Sequence, residues 1–481
     1  MKLNELIENL SVIKIIGDVD VDITDVKIDS KIVALGSLFV CLRGNDYNGH
    51  LFAKEAEKYG CTAISCEEEL EIGLTQIIVA DTRKALSLIA GNFFGNVHKK
   101  MTLIGVVGTN GKTTTAHLIG EILNTNGVKC GVIGTLGTFY QGNMMESSLT
   151  TPDPLQLHKM LKDMYDCGVK TVVMEVSAHA IYHKKINGLD FALGVFTNFS
   201  RDHLDFFVTE ENYKKAKLKF FEENNCKYIV ANVDDDFGIE LKNRYNNVIT
   251  YSILNPSDVF AIEVSENKRG VSFVINLFDC IYKINMNING EFNVYNAMAS
   301  ATATALLGVK TDKIISSLKK FKGVKGRMEK VYDEDFTVYI DYAHTPDGLE
   351  KVLSAINRNK KGRVICVFGC GGNRDVGKRE KMGKISGALA NFSVITSDNP
   401  RFEEPMDIIF EIEKGVLSVT KDYLLIQDRE EAIEYALNLA KTGDVVLIAG
   451  KGGEKYQEIL GIKRPYNDND TVKEVLRRMG L

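Results

Sequence analysis

The run Gly108-Thr109-Asn110-Gly111-Lys112-Thr113-Thr114-Thr115 follows the apolar stretch Leu103-Ile104-Gly105-Val106-Val107 and opens a helix-like pattern from Thr114 to Leu123. A buried strand, a glycine-containing turn and a helix in that order make a phosphate cradle. Glycines let main-chain N–H groups turn inward, Lys112 supplies a mobile positive charge, and a following threonine hydroxyl can hold Mg²⁺ against phosphates. A nucleoside triphosphate is the implied ligand. The strict spacing wants glycine where Val106 stands, so the signal is the shorter Gly108-x-x-Gly-Lys-Thr form.

With 481 residues the chain exceeds what one hydrophobic core usually supports, and three domains fit its patterning. Residues 1–98 mix short alternating runs such as Gly36 to Leu42 with a helical pattern over His50–Tyr59 and a strand at Gln76–Val79, a small α/β unit. Residues 99–325 alternate largely apolar strands, among them Thr171–Glu175 and Ala192–Phe196, with helices, as in a mainly parallel sheet covered on both faces. Within them a hairpin is expected around Lys268-Arg269-Gly270. Phe321–Gly326 reads as a linker, and 326–481 repeat the strand–helix alternation in a Rossmann-like third domain.

The formal net charge of −5 argues against a nucleic-acid or membrane-surface protein. Nine scattered cysteines without a C-x-x-C pair, a start lacking an apolar signal core, and no run of membrane-spanning length fit a cytoplasmic enzyme with reduced thiols.

Several other constellations stand at strand ends, where open α/β sheets bind ligands. Glu175 closes the strand from Thr171; it is either a metal ligand or a strand-end carboxylate in a surface pair. His203, in the polar loop Thr197–Asp205, is either a second ligand or a surface imidazole. In Tyr213–Phe221, Lys215 and Lys219 fit a solvated basic face, whereas Lys217 falls nearer Tyr213 and Phe220/Phe221 on the apolar side, where an amine loses its proton readily.

Taken in order, Gly108-Thr-Asn-Gly-Lys-Thr-Thr, Thr197-Asn-Phe-Ser-Arg-Asp-His-Leu-Asp, Tyr213-x-x-Ala-Lys217, Gly290-Glu-Phe-Asn-Val-Tyr-Asn296, Gly326-Arg327-Met-Glu and Asp341-Tyr-Ala-His344-Thr-Pro resemble the motifs of the Mur ligase family across nearly the whole chain. The resemblance implies an ATP-dependent, ADP-forming amide ligase of peptidoglycan precursor synthesis, acting as a monomer. It further implies that Lys217 is carbamylated and, with Glu175, His203 and Thr113, serves Mg²⁺; hard cations want such oxygen ligands. ATP would be held by Gly108, Thr109, Asn110, Gly111, Lys112, Thr113 and Thr114, with Asn296 at adenine and Arg327 and Asp341 reaching phosphates and ribose. His344 would lie near the nucleotide.

For the nucleotide-sugar peptide, UDP-N-acetylmuramoyl-L-alanyl-D-glutamate, the resemblance implies Ser30, Thr150, Thr151, Ser177, His183 and Lys185, although Lys31 and Lys185 stand where arginine is usual. For the amine it implies Arg374, Asp398, Asn399, Pro400, Arg401, Gly450 and Glu454. The Asp-Asn-Pro-Arg form resembles members that select meso-diaminopimelate. A guanidinium grips a distal carboxylate through paired hydrogen bonds, and lysine lacks that carboxylate. Two alternatives remain: the same reaction with L-lysine, and a nucleotide-binding switch without ligase activity.

Overall fold

The computed structural model describes residues 1–44, 47–147, 149–267 and 269–481. Two compact units make up the chain: Met1–Gly105, Lys129–Gly194 and Ala216–Lys227 form one, and Val106–Val128, Val195–Lys215 and Tyr228–Leu481 the other.

In the first unit a five-stranded sheet runs Val12–Ile16, Thr75–Val79, Ala63–Cys66, Ser37–Val40, Asp25–Lys27. Its last four strands are parallel, and Val12–Ile16 is antiparallel to Thr75–Val79. Successive side chains point to opposite faces. Leu38 and Val40 therefore join Leu86 and Ile89 of the helix Thr82–Phe93, while Phe39 and Cys41 join Ala53 and Ala56 of the helix Ala53–Lys58. The helix expected over His50–Tyr59 begins instead as a 3-10 turn, Gly49–Phe52, because the Asn48 side chain accepts from His50 N and closes the tighter turn. The same unit places Cys130–Gly134 between Thr171–Glu175, which is parallel to it, and Gly137–Tyr140, which is antiparallel. Every residue of Thr171–Glu175 is buried, as an apolar parallel strand requires.

The strands Thr102–Val107 and Leu193–Phe196 each run from the first unit into the second. In the second unit Tyr228–Asn232, Val248–Ser252 and Val259–Asn267 are successive parallel neighbours, followed by antiparallel Gly270–Leu277 and Cys280–Met286. The expected hairpin is present, with Asn267 paired to Gly270; Lys268 lies outside the described residues.

A six-stranded sheet follows in the order Glu329–Asp333, Thr337–Asp341, Val445–Ala449, Val364–Phe368, Phe392–Ile395, Tyr423–Leu425. All neighbours are parallel except the first pair. Insertion of the last strand beside the second reverses the winding, and ligands of such sheets bind at the carboxyl ends near that reversal. Those ends lead into Tyr342, Gly369–Arg374, Thr396–Arg401 and Gly450–Glu454. No helix among the described residues is long and apolar enough to cross a membrane.

Candidate functional site

The strand Thr102–Val107 delivers the chain into the 108–111 turn, and the helix Lys112–Thr125 leaves it. Gly111 adopts φ +81°, and a Cβ there would come 2.6 Å from Asn296 Oδ1, so only glycine fits without displacement. The turn is laced to the neighbouring loop. Thr109 N donates to Asn198 O (2.8 Å), Asn110 N to Asn198 Oδ1 (2.9 Å), and Thr197 Oγ1 to Asn110 O (2.7 Å). Lys112 Nζ folds back over the turn, donating to the carbonyls of Gly108 (2.9 Å) and Thr109 (2.8 Å). Thr113 and Thr114 are buried at the helix N-terminus, where the aligned main-chain dipoles favour an anion.

Asn296 lies against this turn: its Oδ1 accepts from Thr115 Oγ1 (3.2 Å) and its Nδ2 donates to Asn293 Oδ1 (3.0 Å). Arg327 reaches the same helix end, Nη2 donating to Thr113 Oγ1 (2.9 Å), with its guanidinium 4.1 Å from the Tyr342 ring centre. Tyr342 was not among the expected residues, although it sits inside the Asp341-Tyr-Ala-His motif. Asp341 is buried and spends its carboxylate on main-chain donors, Met328 N (2.6 Å) and Ala343 N (2.7 Å); burial raises its pKa despite Arg327. Asp341 thus holds the Arg327–Met328 turn in place.

His203 adopts φ +55° and places Nε2 3.2 Å from Asp202 Oδ2. His344 Nε2 is 3.8 Å from the same oxygen. Asp202, which the sequence reading passed over, is buried; burial pushes its carboxyl up, yet His203, His344 and Lys378 together hold it well below the usual range. The His344 imidazole is pushed down to about 4 by burial and then by Lys378, against the pull of Asp202. Its Nδ1 is 2.9 Å from Tyr342 O. A carbonyl only accepts, so Nδ1 carries the proton.

In the first unit Glu175 is 1% exposed, which removes the surface-pair reading. Its Oε1 accepts from Thr135 N (2.8 Å) and its Oε2 from Thr135 Oγ1 (3.3 Å). Thr150 Oγ1 is 3.1 Å from Thr135 Oγ1, Thr151 Oγ1 donates to Glu175 O (2.8 Å), and Ser177 N donates to Thr151 Oγ1 (3.0 Å). Four expected residues therefore converge, joined by Thr135, which no motif flagged. Ser177 also caps the helix Ala178–Tyr182, and beyond that helix Lys185 pairs with Asp153 (2.8 Å). His183 is pushed down to about 4 by burial and then by Arg83 and Lys185. Ser30 donates to Glu55 Oε2 (2.5 Å). On the helix Glu210–Glu223, Lys217 is buried at 1% exposure while Lys215 and Lys219 are exposed, the division that helical spacing gave.

At the third set of strand ends Arg401 adopts φ +54° and keeps its side chain 19% exposed. Nη1 donates to Gly372 O (2.7 Å) and Nε to Glu458 Oε2 (3.2 Å). An ion pair with Glu403 or Glu404 is not formed; Glu403 is taken by Arg379 at 2.9 Å. A Cβ on Gly371 would lie 2.9 Å from Arg401 Nη1 and 3.8 Å from Arg374 Cγ, so both arginines flank that glycine. The Arg374 guanidinium pairs with Asp205 at 3.5 Å. Gly450 passes close to Asp398: a Cβ there would come 2.6 Å from Asp398 Oδ2. Glu454 Oε2 accepts from Asn399 Nδ2 (3.0 Å) and from Lys451 Nζ (2.9 Å). Pro400 joins Asn399 to Arg401, and in the facing turn Asn373 N donates to Glu403 Oε1 while Asn373 Oδ1 accepts from Phe402 N (3.0 Å).

A glycine turn between a buried strand and a helix, with a second, mainly parallel sheet presenting charged strand ends, defines a phosphate-loop α/β protein. Residues 106–304 match the Mur ligase middle domain and residues 326–452 the Mur ligase, glutamate ligase domain. A relative from Bacteroides fragilis is 42% identical over 99% of both chains, and one from Alkaliphilus oremlandii is 40% identical over 100% of both. Each is named UDP-N-acetylmuramoyl-L-alanyl-D-glutamate--2,6-diaminopimelate ligase. A solved structure of a ligase of that name matches with a TM-score of 0.71 at 31% identity, covering 100% of this chain and 99% of that one. The chain belongs to the Mur ligase family.

Proposed function

We propose that the protein is the ATP-dependent, ADP-forming ligase that joins meso-diaminopimelate to UDP-N-acetylmuramoyl-L-alanyl-D-glutamate in peptidoglycan precursor synthesis, acting as a cytoplasmic monomer. The observation that carries the reading is the pairing of a phosphate turn with half-buried Arg401 at a strand end, in a chain matched over its full length by ligases of that name. Residues 1–98 would bind the nucleotide sugar, 99–325 ATP, and 326–481 the amino acid.

ATP's γ-phosphoryl passes to the D-glutamyl γ-carboxylate: the bond to the ADP oxygen breaks and a carboxyl O–P bond forms. The neutral amine of diaminopimelate then attacks the carbonyl carbon, the C–O bond to phosphate breaks, and the nitrogen loses a proton. Lys112 leaves the turn carbonyls to meet phosphate oxygens, and Arg327, already at the helix end, adds a second positive charge. Arg401 and Arg374 grip carboxylates of the amino acid, and Glu454 takes its ammonium.

Mg²⁺ would be held by Thr113, Glu175, His203 and carbamylated Lys217, and when bound it neutralises phosphate charge. The donors fit. Glu175 offers buried hard oxygens, and Lys217 is buried on the apolar side of its helix, where a carbamate would add an oxygen donor. Among the described residues no three His, Cys, Asp or Glu side chains gather for a metal, and the carbamate supplies one further oxygen donor. Lys217→Ala should abolish turnover and recover part of it with a small added carboxylate; full activity without rescue rejects the carbamate.

The function is tested by phosphate release with UDP-N-acetylmuramoyl-dipeptide and ATP, comparing meso-diaminopimelate, L-lysine and no amine. Release only with diaminopimelate is expected. Release with lysine alone overturns the role of Arg401, and release indifferent to amine identifies a nucleotide switch.

A further inference from the structure

Lys451 follows Gly450 at the end of the strand Val445–Ala449, and its side chain is 0% exposed. Taking an ammonium out of water costs several kcal/mol unless hydrogen bonds and opposite charge replace the lost hydration. Here Nζ donates to Asn399 Oδ1 (2.9 Å) and to Glu454 Oε2 (2.9 Å), with Asp398 Oδ1 at 3.9 Å and the Tyr456 ring centre at 5.8 Å. Its three polar partners are residues that the functional reading gives to the incoming amino acid.

The bonds around Lys451 leave little freedom. Asn399 Oδ1 accepts from Lys451 and also from Glu458 N (2.9 Å), while its Nδ2 donates to Glu454 Oε2 (3.0 Å). The carboxamide therefore cannot flip without facing like against like. Both bonds into Glu454 end on Oε2, and neither Lys451 nor Asn399 engages Oε1. Burial pushes the Asp398 carboxyl up, and Lys451, followed by Arg429 and Lys378, more than offsets it. A buried cation at these strand ends favours the charged Asp398 carboxyl and holds Asn399 and Glu454 by direct hydrogen bonds.

We infer that Lys451 is a positioning residue for the amine substrate: its buried ammonium locks Asn399 and Glu454 so that Glu454 presents Oε1 to the substrate's ammonium. This rests on the reading that the third set of strand ends holds diaminopimelate. Such preorganisation lowers the ordering cost of binding without touching the reacting atoms.

The test uses the full chain with ATP and UDP-N-acetylmuramoyl-dipeptide, measuring kcat and each KM for the wild type, Lys451→Met, Glu454→Gln and the double variant, with thermal melts as a folding control. Lys451→Met should raise the KM for diaminopimelate at least tenfold, change kcat less than threefold and leave the ATP KM unaltered. The double variant should be no worse than Glu454→Gln, because Lys451 acts through Glu454. An unchanged diaminopimelate KM, a loss confined to kcat, or losses that multiply in the double variant would overturn the inference. Where Lys451→Met does not fold, Lys451→Gln, which keeps a donor amide, is read by the same criteria. A wild type that does not ligate diaminopimelate rejects the functional reading itself, a separate outcome.

Discussion

Around Gly108–Thr115 the polar contacts are largely main-chain ones: Thr109 N, Asn110 N and the carbonyls of Gly108, Thr109 and Asn110 all take part. At Asp398–Arg401 and Gly450–Glu454 the contacts run mainly between side chains, through Lys451, Asn399, Glu454, Arg401 and Glu458. The two ends accordingly differ in what substitution can reach. A main-chain cradle offers its N–H groups whatever the neighbouring side chains are, so the one cationic side chain of the turn that substitution can remove is Lys112. A side-chain cradle can be retuned residue by residue, which suits the end proposed to hold the amino acid.

Lys112→Ala removes the lysine that lies over the phosphate turn and should show the largest effect. We expect ligation to fall about 100- to 1,000-fold, the range for losing one preorganised charge-stabilising donor. ADP and phosphate release should fall together, with the diaminopimelate KM little changed. If that KM rose instead, the two ends would not be separable and the comparison would break.

Arg401→Lys probes the other end. The ammonium keeps the charge but loses the planar fork that meets a carboxylate with two parallel hydrogen bonds. Losing one charge-assisted bond of about 1.5–3 kcal/mol should raise the diaminopimelate KM about 10- to 100-fold. An ATP KM equal to the wild type's sharpens the comparison. A diaminopimelate KM that does not move shows that Arg401 serves only Glu458 and Gly372, its partners at 3.2 and 2.7 Å.

How far the two ends were legible follows from the same difference. The phosphate end is contiguous in sequence, so the strand before Gly108, the turn and the buried threonines after Lys112 were all readable from local order. Helical spacing likewise placed Lys217 inside and Lys215 and Lys219 outside. The amine end is assembled from segments more than 50 residues apart, as in the bonds from Asn399 to Glu454 and from Lys451 to Asn399. No local periodicity encodes such pairs; only the family resemblance pointed to Arg374, Arg401 and Glu454, and it passed over Lys451. Asp202 was missed for a similar reason. Its partner His344 lies on another element, and a carboxylate in a polar loop reads as solvated until burial at 7% exposure is seen.

Gly111→Ala tests whether the main chain carries the phosphate end. A side chain at φ +81° strains the turn by about 1–2 kcal/mol. The added Cβ would also press on Asn296 Oδ1 at 2.6 Å. We expect a lower melting temperature and an ATP KM raised several-fold, with the diaminopimelate KM unchanged. An alanine variant with a wild-type ATP KM would mean that the cradle tolerates a different turn and that side chains dominate at both ends.

The smallest effect concerns Arg374, whose guanidinium is 48% exposed and pairs with Asp205 at 3.5 Å. Exposed pairs contribute about 0–1 kcal/mol, so Asp205→Asn should shift the melting temperature little. If Arg374 must leave Asp205 to grip the amino acid, the same change should lower the diaminopimelate KM by about fivefold at most, the equivalent of that small energy. Raising the ionic strength should lower the wild-type KM relative to the variant's, because salt screens the Arg374–Asp205 competition that the variant already lacks. A KM that rises in Asp205→Asn reverses the sign: Asp205 would then hold Arg374 in its working position, and the amine end would extend onto the Thr197–Asp205 loop instead of stopping at its own strand ends.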